Sequence, residues 1–174
     1  MKRKLTIIGL LALTPLAFAA GLFVGKPRTA TYENRELGFR ITAPEFKPFT
    51  LGVGGTMAVL LGPAERGGAP SVSVVMHSTD NIDEQIKAAR ESLEMGGAKV
   101  LRANKTRVGG REASLIEAEG TIGGAKKHAL TLSVFRETHT LMVTCSAGIE
   151  QYAELKATFE ACLESLTLDD APGK

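Results

Sequence analysis

As a pattern of apolar and polar positions, the chain has three regimes. The first is an uncharged, mostly apolar run over residues 5–25, entered through Lys2, Arg3 and Lys4 and closed by Lys26 and Arg28. The second is period-two alternation, the signature of strands with one buried and one wet face. It predicts strands over residues 37–43, stopped by Pro44, over the glycine-rich stretch 50–61, and over 71–78, where Val72 and Val74 fall on one side. The third is a helical period. Asn81 can cap a first turn with Glu84 three residues on, and Ile82, Ile86, Ala89 and Leu93 follow at spacings of four, three and four. That predicts a helix over residues 82–95, ended by Gly96-Gly97.

Alternation then resumes over residues 100–108, 111–120, 125–137 and 141–147. Gly109-Gly110 and Gly123-Gly124 supply the positive φ that two-residue hairpin turns demand, and Thr138-His139-Thr140 makes the last connection. In the third of these strands Leu130, Leu132 and Val134 share one face and Thr131, Ser133 and Glu137 the other, which predicts one buried and one largely wet face. A closing helix over residues 150–166 carries Tyr152, Leu155, Phe159, Cys162 and Leu166 at spacings of three, four, three and four, an apolar seam that should lie on the sheet. The expected fold is α+β. It is a single antiparallel meander of about six to seven strands with two amphipathic helices packed on it as an α/β/α sandwich, preceded by an N-terminal hydrophobic helix. Residues 1–25 are expected to be a membrane anchor or signal peptide, 26–35 a linker, 36–168 the domain and 169–174 a disordered tail.

Positive charge ahead of the apolar run predicts that its start stays in the cytoplasm while the rest crosses. The run matches the roughly 20 residues that span a bilayer core, which fits an uncleaved anchor. Pro15 before Ala17-Phe18-Ala19 also offers a small-x-small cleavage pattern. Either way the domain is expected on the extracytoplasmic, periplasmic side, held at the inner membrane or released if the segment is cut.

Composition narrows the classes. A chain of 174 residues, 44% hydrophobic, holds one domain of ordinary size plus the leading segment. Lys2, Arg3 and Lys4 are three of its 21 basic residues, and without them the balance against 19 acidic residues is close to neutral. No basic stripe results, so no nucleic-acid partner is expected. His-Glu-x-x-His, Gly-x-Ser-x-Gly and Cys-x-x-Cys do not occur, and Gly52-Val53-Gly54-Gly55 lacks the Lys-Ser/Thr of a phosphate loop. No catalytic residue, cofactor site or metal set is therefore assigned. His77, His128 and His139 sit on separate elements with no i, i+4 partner. Glu117 and Glu119 share a strand face, the minimum for paired-carboxylate chemistry, but the expectation for them is a solvated strand face.

Cys145 shares a face with Leu141 and Val143, and Cys162 lies on the closing helix's seam, so both should point at one interface. With rises of about 1.5 Å per residue in a helix and 3.4 Å in a strand, their heights differ by roughly 8 Å, against a Cα limit of about 7 Å for a bridge. A disulfide between Cys145 and Cys162 and a pair of buried thiols both remain open.

The run Leu37-Gly38-Phe39-Arg40-Ile41-Thr42-Ala43-Pro44, the turn Val108-Gly109-Gly110-Arg111-Glu112-Ala113 and the closing run from Tyr152 through Phe159 to Leu166 resemble the PsbP-like superfamily, which includes the DcrB-like envelope proteins. Phe46 and Phe49 stand where a tryptophan often follows the opening proline of that family. The resemblance implies an antiparallel sheet with helices on its faces, serving as a docking or assembly module, and it brings no shared catalytic residue. The expected role is a non-catalytic domain that binds a protein partner. The alternative is a carrier of a small apolar ligand, with residues 51–55 at the mouth of its pocket.

Overall fold

The computed structural model of the chain describes residues 29–49, 56–63, 68–78, 81–122, 124–136 and 139–169. In chain order these form β1 (Ala30–Asn34), β2 (Phe39–Ala43), β3 (Lys47–Phe49), β4 (Thr56–Leu61), β5 (Ser71–His77), α1 (Ile82–Met95), β6 (Ala98–Val108), β7 (Arg111–Ile122), β8 (Ala125–Phe135), β9 (Thr140–Gly148), α2 (Ile149–Glu164) and β10 (Thr167–Leu168). The apolar segment over residues 1–25 and the glycine-rich stretch 50–55 lie outside the described residues. Among the described residues no helix is long and apolar enough to cross a membrane.

Seven strands make one antiparallel sheet in the order β3-β4-β5-β9-β8-β7-β6. After β5 the chain leaves the sheet as α1 and re-enters at the far edge as β6. It then returns strand by strand through β7 and β8 until β9 closes onto β5. Two-residue turns drive the return. Gly109 and Gly110 hold φ of 56° and 78°, which a side chain would strain, and they set Val108 opposite Arg111.

The α+β architecture with two helices is the one the pattern predicts, and the difference lies in how the strands are shared out. The opening strand β2 pairs with β1 and β10 in a separate three-stranded sheet. Residues 30–34, expected within a linker, are β1: Ala30 is buried while Thr31 and Glu33 face out, an alternation too short and polar to stand out in the sequence. β3 carries Pro48 and sits at a sheet edge, where a missing N–H costs nothing.

One core joins the sheets. Phe39, Ile41 and Phe46 meet Val74, Val134, Leu141, Val143 and the α2 seam of Tyr152, Phe159 and Cys162. The Phe159 ring lies 6.0 Å from that of Phe46 and 5.6 Å from that of Tyr152. Ser165, just past α2, ties the small sheet down: its Oγ donates to the Thr42 carbonyl (3.0 Å) and accepts from the Thr42 amide (2.8 Å). Arg136 completes the closure by donating to the carbonyls of Leu37 and Asp169, while the Asp169 amide donates to the Gly38 carbonyl at 2.9 Å.

The opposite face is drier than its hydroxyls suggest. α1 lies over it, and Ser114, Ser133 and Thr144 are buried. The Gln85 amide donates to Ser133 Oγ (3.0 Å) and accepts from Ser114 Oγ (3.2 Å), so one helix residue satisfies two sheet hydroxyls. Asn81 caps α1 by accepting from the amides of Asp83 (2.9 Å) and Glu84 (3.2 Å).

Because Phe159 is fully buried between the two sheets, Phe159→Ala is expected to lower unfolding free energy by about 3–5 kcal/mol in urea titrations. A loss under about 1 kcal/mol would mean that α2 contributes little to the core.

Candidate functional site

Turn arithmetic builds a dense cluster of ionisable groups on the face that carries α2. The Gly109-Gly110 turn sets Arg102 opposite Glu117, and the next hairpin sets Glu119 opposite His128, two residues along from Glu117. Since strand residues two apart share a face, all four side chains converge. Glu117 Oε2 lies 3.3 Å from an Arg102 guanidinium nitrogen and its Oε1 lies 2.9 Å from His128 Nε2. The other ring nitrogen, Nδ1, lies 3.3 Å from Glu119 Oε2. On its free face the imidazole stacks on Tyr152 of α2, with centroids 3.6 Å apart and planes within 8°.

The inner pair is well shielded, with side-chain exposures of 13% for Glu117 and 11% for His128, whereas Arg102 and Glu119 reach water. The ring thus meets one carboxylate at each of its nitrogens. The Tyr152 hydroxyl and Arg102 Nε are buried with no hydrogen-bond partner among the described residues. Burial first, then the charges of Glu117, Cys145 and Glu160, hold the Tyr152 phenol well above the ordinary tyrosine range, and Arg102 offsets part of this. On the opposite face of β8, burial lowers the Lys127 ammonium.

Chemically, this is a closed network rather than an open reaction centre. The carboxylates address opposite nitrogens of one ring and do not converge on a common point. Among the described residues no His/Cys/Asp/Glu group has the arrangement to hold a metal ion. The solvated face expected for Glu117 and Glu119 is thus an ion-paired one, and His128, weighed as a surface or strand-end histidine, is its hub. The signal was present in the sequence, because a two-residue turn fixes every cross-strand pair by counting outward. Arg102 and Tyr152 were missed, and the same counting places Arg102. His77 and His139 lie elsewhere, both half-buried; burial and then the nearby Arg136 charge lower the His139 imidazole.

A crevice of about 40 Å³ lies on the opposite face, under α1, between Gln85, Ala89 and Leu93 above and Ile116, Ala129 and Met142 below. It holds no titratable group and is separated from the ion-paired cluster by the sheet. Cys145 and Cys162 are both fully buried and free. Contact with Cys162, then burial, pushes the Cys145 thiol well above its usual range, and its Sγ lies 4.0 Å from the Phe159 carbonyl oxygen.

The architecture is of the PsbP-like type. Solved structures similar to it include cyanobacterial PsbP (CyanoP) from Synechocystis sp. PCC 6803, with 16% identity, 89% of this chain and 99% of that chain covered, and a TM-score of 0.61. LpqN of Mycobacterium tuberculosis, described as involved in cell envelope biogenesis, is 12% identical over 82% of this chain and 91% of that one, with a TM-score of 0.62. The protein of unknown function PA94 from Pseudomonas aeruginosa is 13% identical over 83% and 99%, with a TM-score of 0.59. No family model and no curated protein sequence matches the chain.

Tyr152 gives the site a pH signature. The unfolded chain loses the phenolic proton near pH 10 while the folded protein retains it, so the unfolded state binds fewer protons and stability falls as pH rises beyond about 10. Tyr152→Phe is expected to be neutral to about 1 kcal/mol stabilising at pH 7, because it removes an unpartnered buried hydroxyl. It should also lose less stability than the parent between about pH 9 and 11. Identical alkaline unfolding curves for the two proteins would refute this account of Tyr152. For the cysteines, the structure predicts two thiols that alkylate only after unfolding. A non-reduced product two hydrogens lighter, inert to alkylation until reduced, would instead establish the bridge.

Proposed function

We propose that this chain is an extracytoplasmic accessory domain, tethered through residues 1–25, that binds another protein and performs no chemistry of its own. The observation that carries the reading is the closure of the Arg102–Glu117–His128–Glu119 network. The densest group of potential acids and bases is spent on mutual pairing beneath a stacked tyrosine. Support also comes from the charged entry into the apolar run and from the involvement in cell envelope biogenesis of LpqN, which shares the fold.

A second reading, carriage of a small apolar ligand, draws on the crevice under α1. At about 40 Å³ it has room for two or three waters, since one needs roughly 10–15 Å³ in this measure. A carrier would have to lift α1, and native mass spectrometry would show the adduct.

Photo-crosslinking in intact cells tests the leading reading, using the full chain with the crosslinker at Leu101 on β6 and, separately, at Glu154 on α2. One protein recovered reproducibly at stoichiometric yield after alkaline washing of the membranes is the expected result. A domain that stays solitary at every position would overturn it.

A further inference from the structure

The crossover through α1 leaves β6 as the last strand of the large sheet, with no strand beyond it among the described residues. At 11 residues it is far longer than the opposite edge strand β3, which has 3. One row of its backbone N–H and C=O groups therefore faces outward along most of the sheet. An exposed edge of this kind templates pairing with another chain unless something prevents it.

Side chains on β6 decide which chains can pair. Ala98–Val108 contains Lys99, Arg102, Lys105 and Arg107 and no acid. On the inner side an acid of β7 stands opposite three of these bases: Glu119 opposite Lys99, Glu117 opposite Arg102 and Glu112 opposite Arg107. The fourth, Lys105, reaches Asp83 of α1 at 2.8 Å. On the outer side Lys99, Lys105 and Arg107 are exposed to solvent. A second copy of the chain, presenting the same four bases edge to edge, is repelled.

We infer that β6 is a strand-addition site for an extended, acidic segment of a partner protein, an inference that rests on the protein-binding reading above. The incoming strand continues the ladder outward, so that Lys99, Arg102 and Arg107 each lie between a glutamate of β7 and an acid of the partner, and Lys105 lies between Asp83 of α1 and such an acid. The geometry specifies the acids further. Lys105 and Arg107 are two apart and share a face, so the partner needs acids two apart opposite them. Lys99 and Arg102 face the other side of the sheet, three apart because a bulge intervenes between Val100 and Arg102, so the partner's remaining acids point the other way. Leu101 at that bulge is 43% exposed and offers the added strand an apolar contact.

The test uses the folded full chain and short fluorescein-labelled peptides: one of glutamate and valine with two acids on one strand face and two on the other, the same peptide with its central valine replaced by proline, and a lysine–valine counterpart. Binding is read by anisotropy and located by hydrogen exchange. The glutamate–valine peptide alone should bind, slow exchange across Ala98–Val108, and weaken as salt rises. Lys99→Gln with Arg107→Gln, both at exposed positions, should weaken it about tenfold while leaving thermal unfolding unchanged. Equal binding of the proline peptide would reduce the effect to charge attraction, and protection elsewhere, or no binding, would overturn the inference as well. The crosslinking above separates the two levels. A partner captured from α2 but never from β6 would end the strand-addition proposal and leave protein binding standing, whereas no partner at either position would end both.

Discussion

The contact between the α2 seam and strands β8 and β9 organises the rest of the domain. A sheet this wide needs cover on both faces, and α2 spans only part of one. The small sheet fills the remainder by laying Phe39 and Ile41 beside Phe159. Its position depends on the helix directly, since Ser165 exchanges two hydrogen bonds with Thr42 at the point where α2 ends. Arg136 then joins the two chain segments that flank the small sheet, 37–38 and 169, to the end of β8. If the seam opened, the small sheet would lose both its floor and its clamp. The three parts are therefore expected to unfold together.

The same seam explains why charge sits where it does. Tyr152 is the first buried residue of α2, and beyond it β7 and β6 run past the helix into partial solvent. A carboxylate there loses several kcal/mol of hydration. At about 3 Å and an effective dielectric near 20, each opposite charge returns about 5 kcal/mol before its own desolvation is counted. The Arg102 guanidinium offsets most of that loss, so the network adds little net stability. Its larger effect is on register. A one-residue slip of β7 would carry Glu117 and Glu119 to the α1 face, beside Leu93 and Ala129 and away from Arg102 and His128.

How much of this was legible in the sequence depended on the range of the signal. The α1 cap and end, the Gly109-Gly110 turn, the α2 seam and seven of the strands follow from local periodicity and turn chemistry, and the described residues of each take that form. β1, β3 and β10 were not legible. Five, three and two residues carry too little alternation, and β1 and β10 are strands only because β2 lies between them. The burial of Ser133 runs against the expected wet face for a related reason: a polar face looks wet until Gln85 arrives from above to bond it. The ion-paired cluster falls between these cases. Its pairs are long-range in space but fixed by counting from two turns, so strand register carries a signal that i, i+4 spacing of the histidines does not.

The β6 edge shows how one set of side chains serves two requirements. Lysine and arginine on an edge are a common defence against self-pairing, and here that defence needs internal neutralisation, because four like charges on one strand would strain the hairpin that carries them. The glutamates of β7 supply it from the inner side and leave the outer side unanswered. A base paired on one side only still attracts negative charge while repelling its own kind, so protection against self-assembly and selection of an acidic partner follow from one arrangement. The edge is also held rigid, with β7 and β8 behind it and Lys105 tied to α1. A segment that pairs with β6 therefore meets a template already in strand geometry, and the ordering cost of association falls mainly on the partner.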